Sequence, residues 1–119
     1  MTRIHHLALR TPDPGRLARF YEDVFELTRD RDAYDARGLR SVWLRAEGTL
    51  VMLERREPGE PEPDPRSMEC VLFSIDEARV PALHERLRTR GVAIEGQTRF
   101  STYFRDPEGR RVGASCFSG

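Results

Sequence analysis

The chain is cut near its middle by a segment that cannot join a sheet, and the residues on either side of it repeat one plan. Residues 57–67, EPGEPEPDPRS, hold four prolines and one glycine and no other apolar residue. Proline donates no ladder hydrogen bond, so the stretch reads as an extended linker. Before it the pattern runs strand, helix, strands; after it the same order returns. A repeated unit too small to bury its own apolar face implies two units sharing one core across a pseudo-twofold axis. The expectation is one domain over 1–119: module one at 1–56, the linker at 57–67 and module two at 68–119.

In the first module, residues 4–10 alternate as a strand does, with His6 and Ala8 on one face and His5, Leu7 and Leu9 on the other. Adjacent histidines on a strand diverge, so His5 and His6 are expected to be a poor chelating pair. Asp13 is a candidate N-cap with Pro14 at the first helical position. Leu17, Phe20, Tyr21 and Val24 then lay one apolar stripe along a helix, leaving Arg16, Arg19, Glu22 and Asp23 in water. The stripe covers the Leu7/Leu9 face and turns His6 away from the helix. Residues 28–37 are polar and read as turn. Residues 39–45 read as a strand with Arg40, Val42 and Leu44 on one face and Ser41, Trp43 and Arg45 on the other. Residues 49–54 are apolar on both sides, as a strand buried on both faces would be.

The second module opens with a strand over 68–75, with Cys70, Leu72 and Ser74 opposite Val71, Phe73 and Ile75. Asp76 and Pro81 mark a helix entry, Val80, Leu83 and Leu87 its stripe, and Gly91 its left-handed cap after a cationic last turn. Residues 92–94, 98–105 and 110–115 read as short strands. Asp106-Pro107-Glu108-Gly109 fits a type I turn between the last two.

Formal charge is zero, with all 20 basic residues arginine. That balance gives no field for nucleic acid or an anionic membrane, and it leaves little repulsion between copies, so a homodimer is expected. The absence of lysine removes side-chain Schiff-base chemistry. No apolar run reaches the roughly 20 residues of a membrane span and no secretory signal opens the chain, so the expected location is the cytoplasm. Cys70 and Cys116 lack metal or redox spacing and read as reduced thiols in a core.

Three pieces carry a resemblance: Ile4-His5-His6-Leu7-Ala8-Leu9, the helical run FYEDVFEL at 20–27, and FRDPEGRRV at 104–112. Together they resemble the vicinal oxygen chelate superfamily, which holds glyoxalase I, bleomycin-resistance proteins, fosfomycin-resistance enzymes and extradiol dioxygenases. The resemblance covers nearly the whole chain and implies an α+β fold of two paired βαβββ modules, forming a curved mixed sheet as an open cup with the helices outside. It says less about function, because one fold hosts unrelated chemistries.

Metal-binding members place ligands on the first and last strands of each module. Carried over by position, His6 keeps its usual histidine, whereas Met52, Cys70 and Gly113 stand at the other three ligand positions. Glycine offers no donor and a thioether is too soft for zinc, manganese or non-haem iron, so no metal is expected. Recruitment of Glu54 by a bulge or register slip is the exception to that reading.

Without a metal, His6 either bonds a neighbour such as Tyr103 or Ser115, or grips a ligand, and it is the candidate catalytic residue. His5 and His84 read as structural. The candidate ligand-binding set is His6, Ser41, Trp43, Arg45, Met52, Cys70, Tyr103 and Gly113. Phe100 or Phe104 is a further aromatic candidate, with Phe104 also fitting the core. Arg45 and Arg99 are candidates for an anionic substrate, with solvated surface the plainer reading. Cys70 would be a nucleophile if an imidazole stood beside it. The functional expectation is a glyoxalase- or bleomycin-resistance-like protein that binds a small organic molecule in a metal-free cup, by sequestration or His6 acid–base chemistry. The alternative is a metal-dependent lyase, transferase or dioxygenase. A partner domain using the cup edge has no positive support in the sequence.

Overall fold

A computed structural model describes residues 1–118. The chain divides into two compact units, one covering Met1–Pro61 and the other beginning at Glu62. Each is a four-stranded mixed sheet with a helix.

The first unit runs β1 (His6–Thr11), α1 (Pro14–Phe25), β2 (Thr28–Asp35), β3 (Gly38–Ala46) and β4 (Thr49–Arg55), with strand order β1-β4-β3-β2. α1 starts as its sequence requires: Asp13 Oδ1 accepts from the backbone N–H of Arg16 at 3.0 Å, and Pro14 occupies the first turn. Leu17, Phe20, Tyr21 and Val24 are buried, together with Ala18 and Phe25, and the helix packs on β3, β4 and β1. Val42, Leu44, Val51 and Leu53 meet it from the sheet and are buried. Fully burying each such side chain contributes about 1.5–3 kcal/mol.

β2 is a correction. Its polar run is an edge strand, paired antiparallel to β3 through two register shifts. Its charges keep an exposed edge from recruiting another chain, which is why it lacks an apolar face.

The second unit runs β5 (Cys70–Ser74), a short 3₁₀ turn (Glu77–Arg79), α2 (Val80–Thr89), β6 (Gly96–Gln97), β7 (Ser101–Arg105) and β8 (Arg111–Ser115), with order β5-β8-β7-β6. Leu83 and Leu87 are buried, and so are Thr102, Phe104, Val112 and Ala114 of the sheet. α2 ends with Gly91 at φ +71° while Val92 N–H reaches back to Leu87 at 2.9 Å, the left-handed cap expected of that glycine. Residues 92–94 form no strand, against expectation. Pairing starts instead at Gly96, opposite Tyr103, because the chain first completes the helix cap. The 106–109 turn closes as predicted: Gly109 N–H donates to Asp106 O at 3.0 Å, and buried Asp106 Oδ1 accepts from the amides of Glu108 and Arg110.

Phe20→Ala should lower unfolding free energy by about 3–5 kcal/mol, measured by urea denaturation. A loss below about 1 kcal/mol would mean the stripe is not the core of the first unit.

Candidate functional site

With α1 covering one side of the first sheet, alternation sends every second residue to the other side, and the ladders set these residues side by side. β4 lies between β1 and β3, and the register aligns His6, Leu50 and Arg45, then Ala8, Met52 and Trp43, then Arg10, Glu54 and Ser41. The His6 and Trp43 rings meet edge-on with centroids 5.1 Å apart, and the Arg31 guanidinium sits 4.8 Å from the Trp43 ring centroid. Met52 and Ser41 are buried between their neighbours. This face therefore brings His6, Ser41, Trp43, Met52 and Arg45 together in one surface.

One expectation changes on this face, and the open readings of Arg45 and Glu54 gain partners. His5 and His6 do not diverge: their Nδ1 atoms are 2.9 Å apart, one donating and the other accepting. His5 stands just before the assigned start of the edge strand β1, its carbonyl accepting from Leu50 N–H at 3.2 Å, and its ring turns back to meet His6. Within its unit, the polar neighbour of His6 is thus His5. Arg45 is not a free anion grip, because Asp30 holds it at 2.5 Å. Glu54 is not recruited toward His6: both β4 ladders run without a bulge, and its carboxylate is taken by Arg10 at 3.0 Å and Arg40 at 3.6 Å.

In the second unit the corresponding rows are Cys70, Arg111 and Arg105, then Leu72, Gly113 and Tyr103, then Ser74, Ser115 and Ser101. Arg111 lies 4.1 Å from the Tyr103 ring centroid, and Glu95 bonds both Arg105 at 2.6 Å and Arg111 at 3.2 Å. Arg111 was missed although it precedes Gly113 by two and so shares its face. Arg31 was missed with its whole strand. Cys70 is not an activated thiol. Desolvation of the sulfur pushes its pKa up against the opposing pull of Arg111, and its Sγ donates to Val71 O at 3.5 Å. Neither cysteine lies in the core, Cys70 being exposed and Cys116 intermediate. Phe104 belongs to the core, Phe100 stands outside against Phe117 and Arg99, and His84 is bonded to Thr102 at 2.8 Å.

The residues at the inherited ligand positions do not fit a metal. Gly113 is more than a missing carboxylate: a Cβ built there would lie 2.4 Å from Thr102 O and 2.8 Å from Leu72 Cδ1. Leu72 and Tyr103 have closed over the place where a ligand side chain would emerge. Met52 is packed beneath Trp43 and offers only a thioether, which suits none of the hard ions. Among the described residues, no three His, Cys, Asp or Glu side chains gather as a metal would need.

Residues 3–113 match the Glyoxalase/Bleomycin resistance protein/Dioxygenase superfamily. The chain belongs to this superfamily. Among solved structures, the fosfomycin resistance protein FosX from Listeria monocytogenes superposes with a TM-score of 0.80 at 16% identity, covering 99% of this chain and 93% of that one. A glyoxalase/dioxygenase from Nostoc punctiforme gives 0.80 at 22%, covering 98% and 92%, and a possible glyoxalase from Bacillus cereus 0.77 at 22%, covering 98% and 100%. The Listeria FosX has been crystallised with Mn(II). At such identities the likeness speaks for the glyoxalase-superfamily fold alone. No curated protein matches the chain. No helix among the described residues is long and apolar enough to cross a membrane.

Gly113→Glu, which restores the side chain usual in metal-binding members, should destabilise the protein by about 1–3 kcal/mol by thermal melt, because the site has no room. Unchanged stability would show that the backbone at Thr102 and the side chains of Leu72 and Tyr103 give way. The hydrogen bond from Arg105, the largest influence on Glu95, holds that carboxyl below its ordinary value of 4.5. A carboxyl lowered on folding stabilises at neutral pH and stops doing so as pH falls through its folded value. The difference in melting temperature between the natural protein and Glu95→Gln should therefore be present at pH 7 and shrink as pH falls below 4.5. A difference that is constant across that range would contradict the pairing.

Proposed function

We propose that the open face of the first sheet binds a small organic molecule, with Trp43 as its platform and His6 as its polar contact, and without the multi-ligand metal of the metal-dependent members. One observation carries this reading: an imidazole, an indole and a buried thioether lie adjacent on a sheet face that the helix of the same unit leaves uncovered. An apolar surface with a few placed polar groups is what a small-molecule site requires. The packed glycine and the thioether at the last-strand positions support the metal-free part of the proposal. His6 can serve by holding the molecule, as in sequestration, or by moving a proton as a general acid or base.

Trp43 is the only tryptophan, so its emission reports on this face directly. Titration with fosfomycin, bleomycin and a panel of small aromatic acids should give a saturable change with at least one of them. His6→Ala should weaken that binding by roughly tenfold, the worth of one polar contact of about 1–1.5 kcal/mol. Saturable binding that His6→Ala leaves unchanged would remove His6 from the site.

A further inference from the structure

We propose that the ligand of the first sheet's open face is a monoanionic organic acid, a single carboxylate on a compact apolar or aromatic body, and that Arg31 is the residue that selects it. This rests on the binding face proposed above and names its substrate class. The register puts Arg31 of β2 opposite Trp43 of β3, and Trp43 opposite Met52 of β4, so Arg31 ends the row of Ala8, Met52 and Trp43 across the middle of the face. Its guanidinium sits 4.8 Å from the Trp43 ring centroid, and the His6 ring lies 5.1 Å from the same ring. This row thus joins a cation to the apolar surface beside His6.

What marks Arg31 is its charge balance. The other two arginines in the rows of this face are neutralised: Asp30 holds Arg45 at 2.5 Å and Glu54 holds Arg10 at 3.0 Å. The carboxylates on either side of Arg31 in sequence are also spent, Asp30 on Arg45 and Asp32 on Arg29 at 2.8 Å. Among the described residues no carboxylate pairs with Arg31, which is exposed and rests on the indole instead. A ring attracts a guanidinium through its π face and offers it no carboxylate oxygen, so the N–H fork stays available to a ligand's carboxylate. Because the ring already positions the side chain, less of its freedom is lost on binding. One unpaired cation matches one negative charge, whereas a dianion would bring surplus charge toward the neighbouring Asp30. The apolar part of the acid then lies against the surface around Trp43.

Titration of the whole chain with benzoate and with benzamide, its neutral isostere, followed by Trp43 emission and by calorimetry, tests the assignment. Benzoate should bind saturably, at least about tenfold more tightly than benzamide and more weakly as salt is raised, the difference expected of one charge-assisted contact. Arg31→Gln should remove that advantage and leave benzamide unaffected, and Arg31→Lys, which keeps the charge without the fork, should retain part of it. Phenylphosphonate as the dianion should bind no better than benzoate. Circular dichroism confirms that each variant is folded. Benzoate and benzamide binding alike, or a preference for benzoate that survives Arg31→Gln, overturns the anion assignment and leaves the binding face itself standing. Tighter binding of phenylphosphonate than of benzoate overturns the single-charge match, and no saturable binding of benzoate overturns the assignment as a whole. Binding lost in Arg31→Gln and unchanged in His6→Ala supports the assignment while removing His6 from the face's chemistry.

Discussion

Covering a sheet on one side commits half of its side chains to the core and leaves the other half answerable to something else. In each unit the helix provides that cover: the stripe of α1 meets Val42, Leu44, Val51 and Leu53, and α2 brings Leu83 and Leu87 to the unit whose sheet buries Phe104 and Val112. Because side chains alternate with a period of two, fixing the covered set also fixes the uncovered one. His6, Trp43 and Met52, and in the other unit Tyr103 and Gly113, are where they are because their neighbours in sequence are buried. A slip of one residue would exchange the two sets and destroy the core, so the position of the candidate site is as secure as the packing itself.

The two open faces differ in chemistry. On the first, the aromatic and imidazole rings are in mutual contact and the formal charges are largely paired off toward the edges: Arg45 with Asp30, Arg10 and Arg40 with Glu54. The centre around Met52 and Trp43 therefore combines apolar surface with one cation, Arg31, over the Trp43 ring. On the second, two guanidinium groups share the single carboxylate Glu95, with Tyr103 beneath Arg111. Gly113, at a position where the resemblance places a metal ligand, is closely packed. Leu72 and Tyr103 lie against Gly113, so a one-residue reversal would meet a filled space.

Much of this was legible from residues alone, for identifiable reasons. Both helices and most long strands announce themselves through periodicity, caps and turn residues: Asp13-Pro14, Gly91 and the 106–109 turn each do what their chemistry dictates. What was hidden was structure whose stabilisation is not apolar. β2 forms through backbone ladders and charge pairs such as Arg29 with Glu22 and Asp32, which leave no hydrophobic alternation to detect. Residues 92–94 carry an apolar pair but are spent on closing the helix end. The meeting of His5 with His6 was not legible because alternation fixes where Cβ atoms point, while the rotamers of adjacent imidazoles can still bring their ring nitrogens together. Side-chain partners such as Asp30 for Arg45 depend on the pairing of β2 with β3, and β2 leaves no apolar pattern to announce it.

The superfamily's fold thus presents, in this chain, a ring-bearing sheet face, and the proposed metal-free reading of it rests on Met52 and Gly113 standing where the resemblance places ligands. Elemental analysis of protein purified without chelator tests that account most directly. It predicts no stoichiometric manganese, iron or zinc. One such ion per chain, retained in His5→Gln and lost in His6→Ala, would contradict it and return the site to the metal-dependent chemistry from which the residues at 52 and 113 depart.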